Sequence, residues 1–269
     1  MASRVRWGQC FLVDGDASRR IVEWAAIEGR DVVEIGPGRG ALTDLLRERA
    51  ASLTMVEIDP HLAAALRTRY DADPKVTVIE GDALRVDWSA AAPPGFTVVA
   101  NLPYESGTAI VASLLERRGL VREIDVMLQK EVVARLAAPP GSKTYGGLTV
   151  LVQMVADVEA GLVIAPRSFR PRPAVESQMV RIRPLPAPRF DVGDEAEFRA
   201  VVHAAFGQRR KMLRNNLGRF VDGRFGAGAA ERVLAAAGVD GNLRPEVLGL
   251  DQFAALSRAV VAEKDRTGN

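Results

Sequence analysis

The chain has 269 residues, 48% of them apolar, which is room for one large domain and a small one with a proper core. Lys and Arg number 36 against 34 Asp and Glu, a net charge of +2, so affinity for a polyanion must come from local clusters of charge. A single cysteine, Cys10, and two histidines, His61 and His203, exclude a disulfide framework and argue against a Cys- or His-based metal site.

In chain order, the N-terminus (Arg4, Arg6, Trp7, Gly8, Gln9) carries no signal-peptide core. Since no apolar run reaches about 18 residues, the expectation is a cytoplasmic protein with no membrane segment. Short runs rich in Val and Ile predict strands at 31–36, 52–58, 75–80, 95–101 and 123–129, with helices such as 40–50 and 60–70 between them. That rhythm is the βαβ alternation of a doubly wound parallel sheet. A further helix is expected at 146–156, and strands at 157–164 and 176–183 flank the loop Pro166–Pro173. Their short connection leaves open whether the last strand runs antiparallel. Pro184, Pro186 and Pro188 read as a linker. The Ala-, Leu- and Arg-rich stretch 194–269 has helical spacing broken at Gly218, Gly223, Gly238 and Pro245. Two domains follow from this, residues 1–185 and a helical domain over 186–269.

Three sites of chemistry stand out. Glu34-Ile35-Gly36-Pro37-Gly38-Arg39-Gly40 closes the first strand, and glycines there admit a ligand close to the backbone. Gly36, Gly38 and Ala41 also satisfy a dinucleotide fingerprint. Glu57 ends the second strand, where a carboxylate can take two ribose hydroxyls, and Asp82 follows the third, where one can accept from an adenine amino group. Acids at both strand ends favour an adenosyl group without a pyrophosphate, hence S-adenosylmethionine over a nicotinamide cofactor. Asn101-Leu102-Pro103-Tyr104 ends the fourth strand. It offers a side-chain amide, a carbonyl fixed by proline and an aromatic face, groups that together hold a planar base bearing an exocyclic amine. Phe169, in the proline-rich loop and so expected outside regular strands, is either a core anchor or a platform for a flipped base.

Charge clusters in two places. Arg167–Arg189 holds six arginines and one acid, Glu176, and His203–Arg219 holds Arg209, Arg210, Lys211, Arg214 and Arg219 with no acid. Such stretches suit phosphate contact, although a charge run is commonly a solvated face. His203, near Val201, Val202 and Phe206, reads as packing, and Asp14, Asp59 and Glu131 as structural or charge-balancing.

Gly8-Gln9-Cys10-Phe11-Leu12, Glu34–Gly38, Glu57-Ile58-Asp59, Gly81-Asp82-Ala83, Asn101–Tyr104, Met127–Glu131, Pro139–Lys143, Tyr145-Gly146, Ser168–Ser177 and Phe206–Lys211 resemble, in order and spacing, the rRNA adenine N6-dimethyltransferases over roughly residues 8–220. The likeness is greatest to the bacterial branch that dimethylates two adjacent adenosines near the 3′ end of small-subunit rRNA. It implies an α/β fold, a Rossmann-like S-adenosylmethionine-dependent methyltransferase sheet followed by a small helical RNA-binding domain. It further implies cofactor contacts from Gln9, Cys10, Leu12, Gly36, Gly38, Glu57, Ile58, Asp82, Ala83 and Asn101, yielding S-adenosylhomocysteine. Catalytic positions would be Asn101, Pro103, Tyr104 and Phe169, with Phe169 stacking on the base opposite Tyr104. RNA contacts would fall on Arg170, Arg172, Arg209, Arg210, Lys211 and Arg214. Cys10 stands where Asn or His is usual, and Glu105 where Asn is frequent. The expected partner is small-subunit rRNA within a pre-ribosomal 30S particle, met by a monomer without metal. The rival readings are a large-subunit (23S) rRNA adenine methylase of the antibiotic-resistance type, a non-enzymatic RNA-binding assembly factor and, more distantly, a nicotinamide-dependent oxidoreductase.

Overall fold

The computed structural model describes residues 10–208 and 210–268, so Gln9, Arg209 and the arginines at positions 4 and 6 lie outside the described residues. Two units emerge. The first runs to Val133 and resumes over Asp157–Pro186; the second takes Ala134–Ala156 and the chain from Ala187 onward. The single boundary expected at 185/186 is therefore replaced by an exchange of segments.

The strands are β1 (Phe11–Leu12), β2 (Asp31–Ile35), β3 (Ser52–Glu57), β4 (Val76–Glu80), β5 (Phe96–Asn101), β6 (Val121–Gln129), β7 (Ala156–Ile164), β8 (Phe169–Arg170) and β9 (Ser177–Pro184). Seven of them form one sheet in the order β4-β3-β2-β5-β6-β9-β7. Strands β2 to β6 are parallel, with Ile35 beside Val56, Glu57 beside Glu80 and Asn101 beside Met127. Strand β9 runs antiparallel to β6, settling the direction the sequence left open. The central strands are buried on both faces, which is why they read as unbroken apolar runs. Because β2 pairs with both β3 and β5, the chain winds outward in opposite directions from that pair. The crevice at such a switch point, at the carboxyl ends of the strands, is where open α/β sheets bind ligands.

Helices of this unit are α1 (Gly15–Ala25), α2 (Thr43–Arg49), α3 (Pro60–Tyr70), the short α4 (Trp88–Ala91) and α5 (Gly107–Glu116), followed by α6 (Lys130–Leu136). Asp14 and Asp59 are structural as expected: each accepts from backbone N–H groups at the start of its helix, α1 and α3. Helix α2 starts three residues later than the sequence suggests because Gly36, Gly38 and Gly40 all have positive φ, and the chain is still turning there. Beneath the sheet lies a core that includes Ile21, Leu46, Leu53, Met55, Met127 and Met179.

The second unit holds α7 (Gly147–Val155), α8 (Glu195–Ala205), α9 (Leu213–Phe225), α10 (Ala229–Ala237) and α11 (Leu250–Thr267). Its core joins Val150 and Met154 of α7 to Val201, Val202, Leu217, Val233, Phe253 and Val260. Among the described residues no helix is long and apolar enough to cross a membrane.

Candidate active site

Three neighbouring cavities open at the carboxyl ends of β2 to β5, all lined by Gly36. The largest, about 440 Å³, is walled by Ile35, Val56, Ile58, Ala83 and Ile110, and by the acids Glu57, Asp82 and Glu105. That volume falls in the range of roughly 300–1,000 Å³ usual for small-molecule sites. Among the described residues no Lys or Arg lines it. Three carboxylates without a cation repel a pyrophosphate and suit a neutral or cationic ligand, so the dinucleotide alternative loses its electrostatic basis.

Glu57 is fully buried. Its Oε2 accepts from the N–H of Gly38 at 2.9 Å and its Oε1 from that of Asp59 at 3.0 Å. Each oxygen thus keeps a lone pair, and together they can accept two vicinal hydroxyls. Asp82 accepts from Leu84 N–H through Oδ1 at 3.0 Å, and its other oxygen can accept an amino group. The Glu57 contact also explains the loop: Gly38, at φ +58, brings its N–H to the carboxylate, and a Cβ there would stand 3.0 Å from the ring of Phe11. These residues fit S-adenosylmethionine, offering acceptors to its ribose and adenine and, among the described residues, no cation to oppose its sulfonium.

The second cavity is lined by Cys10, Phe11, Gly36, Gly38, Asn101, Leu102, Pro103 and Tyr104. Asn101 Nδ2 donates to the Cys10 carbonyl at 3.1 Å, leaving Oδ1 as an acceptor. Tyr104 shares a 2.6 Å hydrogen bond between its hydroxyl and Ser177 Oγ, which fixes the ring. Burial pushes the phenol upward despite that bond, and burial likewise pushes the Cys10 thiol up. Leu12 is core and borders the third cavity with Glu34 and Arg39. The Glu34 carboxyl is buried, and desolvation carries its pKa to about 8, with Thr43 hydrogen bonding against the rise and Glu57 adding to it.

Phe169 differs from expectation. It belongs to a strand, β8, paired with β1 so that Phe169 faces Leu12 in register, because the prolines at 166 and 171 flank the two-residue strand without interrupting it. Its side chain is fully buried in the core with Leu12, Met127 and Met179, so it presents no face for stacking in this conformation. His203 is exposed rather than packed, since it lies between Val202 and Ala205 on the outer side of α8.

Among the arginines of the first stretch, Arg181 and Arg183 pair with Asp125, Glu123 and Glu159 and are structural. Arg170 and Arg172 are exposed, Arg170 donating to the carbonyls of Phe169 and Arg167. In the second unit Arg210, Lys211 and Arg214 are exposed, with no acid paired to them among the described residues. Sequence reading missed Ser106, Ile110 and Ser177. The start of α5 directly after Asn101–Tyr104 was the available signal for the first two.

A family model described as ribosomal RNA adenine dimethylase matches residues 1–253. A protein of Geobacter sulfurreducens named ribosomal RNA small subunit methyltransferase A is 43% identical, covering 97% of this chain and 96% of its own length. One of the same name from Geobacillus thermodenitrificans is 41% identical over 94% and 89%. Among solved structures, the 23S rRNA methyltransferase ErmE is 27% identical with a TM-score of 0.69, covering 93% of this chain and 99% of its own. A dimethyladenosine transferase from Plasmodium falciparum shares the fold at a TM-score of 0.78 and 23% identity, over 96% and 98% of the two chains.

Proposed function

This chain belongs to the ribosomal RNA adenine dimethylase family, and we propose on that basis that it transfers methyl groups from S-adenosylmethionine to N6 of two adjacent adenosines near the 3′ end of small-subunit rRNA. The observation that carries the choice of subunit is identity of 41–43% to small-subunit enzymes over nearly the whole chain, against 27% to the 23S enzyme. We place its substrate in a pre-ribosomal 30S particle in the cytoplasm, met by a monomer.

Glu57 holds the ribose hydroxyls of the cofactor and Asp82 its adenine, against Ile58 and Ala83. S-adenosylmethionine bound there supplies an electrophilic methyl group on a sulfonium. Asn101 Oδ1 and the Leu102 carbonyl accept the two N6 hydrogens of the target base, while Tyr104, steadied by Ser177, meets its face. These bonds localise a lone pair otherwise delocalised into the ring and aim it at the methyl. The methyl group would come from that sulfonium, leaving a neutral thioether, and the nitrogen it alkylates would give its proton to water, so no general base is required. A second round on the same nitrogen gives dimethyladenosine. Arg170, Arg172, Arg210, Lys211 and Arg214 neutralise rRNA phosphates.

Tritiated methyl transfer to under-methylated small subunits, with nucleoside analysis of each rRNA, tests the reading. Dimethyladenosine in small-subunit RNA is expected. Product confined to large-subunit RNA would instead identify a resistance-type methylase, and binding without transfer an assembly factor.

A further inference from the structure

One cation stands among the acids of the site. The three neighbouring cavities are lined by the carboxylates of Glu34, Glu57, Asp82 and Glu105 and, among the described residues, by a single Lys or Arg, which is Arg39. The charges are sorted by place. Glu57, Asp82 and Glu105 line the large cavity, whereas Arg39 lines the smallest, beside Phe11, Glu34, Gly38 and Asn101. That cavity measures about 30 Å³, close to the share of one molecule in liquid water, so it admits a carboxylate and no base or sugar. Glu34 does not oppose an anion there, because burial carries its pKa to about 8 and keeps the carboxyl largely neutral at pH 7.

Arg39 is placed and not loose. Its guanidinium carbon lies 5.0 Å from the centre of the Phe11 ring, and the negative face of an aromatic ring holds a cation set over it. Phe11 is itself fixed by β1, where it stands opposite Arg170 in the ladder. Its ring lies so near the backbone of Gly38 that a Cβ on that glycine would come within 3.0 Å of it. Arg39 is exposed, and no acid pairs with it among the described residues. An oriented guanidinium without a counter-ion, at a cavity of carboxylate size, is a site for an anion carried by the ligand.

S-adenosylmethionine carries such a group. Its adenosine is neutral, its sulfonium positive, and the far end of its methionyl chain bears an ammonium and a carboxylate. The large cavity offers acceptors to the adenosine, and the cavity that holds Asn101 and Tyr104 takes the base that receives the methyl group. The small cavity, which shares Gly36 with both, is left for the methionyl end. We propose that Arg39 binds the methionyl carboxylate of S-adenosylmethionine and so sets which way round the cofactor lies. The inference deepens the cofactor reading above and rests on it. It also bears on Cys10: a thiol is a weak donor where the family's usual Asn or His is an ordinary one, and Arg39 brings several N–H donors to the same group of cavities.

Two variants and two ligands test it. S-adenosylmethionine and its decarboxylated analogue, which keeps the adenosine, the sulfonium and the amine, are titrated by calorimetry into wild type, Arg39→Gln and Arg39→Lys. Arg39→Gln is expected to weaken S-adenosylmethionine binding about tenfold, the scale of losing a hydrogen bond to a charged group. Arg39→Lys should weaken it less, since lysine keeps the charge but not the fork. The decarboxylated analogue, with two cations and no anion, should bind Arg39→Gln at least as tightly as wild type. Because Arg39 is exposed, both variants should melt as wild type does. Equal losses for the two ligands, or no loss for either, would overturn the proposal. Unchanged cofactor affinity with weakened filter binding to small subunits would overturn it too, assigning Arg39 to an rRNA phosphate. Wild type that binds no S-adenosylmethionine would refute the cofactor reading and this proposal together, whereas tight binding indifferent to position 39 would refute the proposal alone.

Discussion

Asn101 gives its amide N–H to the backbone carbonyl of Cys10 at 3.1 Å, and that one bond decides which end of the amide is offered to a ligand. The residue type at position 10 hardly matters to it, since the contact is made by backbone. Cysteine in place of the family's usual Asn or His therefore leaves Asn101 oriented. Asn101→Asp loses the donor and sets a carboxylate oxygen against a carbonyl, and Asn101→Ala removes the acceptor. Both should lower turnover on under-methylated subunits by roughly 10²-fold or more, as for loss of one preorganised polar group. Calorimetry should show RNA affinity retained; turnover within a few-fold of wild type would remove Asn101 from the chemistry.

Tyr104 and Ser177 separate positioning from stacking. Tyr104→Phe keeps the ring but strands the buried Ser177 hydroxyl, and should cost about 1–2 kcal/mol of stability with KM for subunits little changed. Tyr104→Ala should raise that KM by an amount set by the worth of one base–aromatic stack, about 1–3 kcal/mol. Equal kinetic damage from both variants would mean that the hydroxyl, and not the ring, meets the substrate.

Glu57→Ala should weaken S-adenosylmethionine binding by about 1.5–3 kcal/mol, the worth of hydrogen bonds to a charged group. It also deprives the Gly38 and Asp59 N–H groups of their acceptor, so a lower melting temperature should accompany the loss. Titration calorimetry with unchanged affinity would overturn the cofactor assignment of this residue.

Glu34 gives a pH signature. Its folded-state pKa of about 8 lies above the unfolded value of about 4.3, so between those values the folded chain holds a proton that the unfolded chain has released. Stability from this group therefore falls as pH rises through that window and levels off above it. Glu34→Gln, which can still accept from Thr43, should gain on wild type steadily from about pH 5 to about pH 8. Parallel stability curves from urea titrations at several pH values would show that Glu34 is ionised in the folded protein.

Lys211→Ala with Arg214→Ala should flatten the log–log salt dependence of rRNA binding by about one unit for each phosphate no longer neutralised, leaving cofactor affinity alone. An unaltered slope would mark the cluster as a solvated face.

The central strands of the sheet were legible because they are buried on both faces, so Val32–Ile35, Leu53–Val56 and Val98–Ala100 form largely apolar runs. That Glu57 and Asp82 line one cavity was legible because acids at consecutive strand ends of a parallel sheet fall side by side at its carboxyl edge. Two things were not. An apolar helix face such as that of Val150 and Met154 records only that it is buried, not which core receives it, and here the receiving core is the later one. Phe169 looked loop-bound because prolines surround it, yet it needed only one partner, Leu12, to enter a ladder.

The membership of α7 in the later core has a bearing on how the chain is made. Helix α7 leaves the ribosome before β7 and β9, which complete the sheet, and before Phe198, Val201, Leu217, Phe253 and Val260, which cover its own apolar face. At a synthesis rate of about 5–20 residues per second, Val150 and Met154 wait for seconds without the residues that bury them. The sheet can close in that interval, but the helical unit cannot close until α11 emerges. A fragment ending at Pro186 is thus no independent domain: it carries an open apolar helix, and should be recovered with chaperone or as aggregate, whereas exchanging whole chains between relatives should be free of that defect.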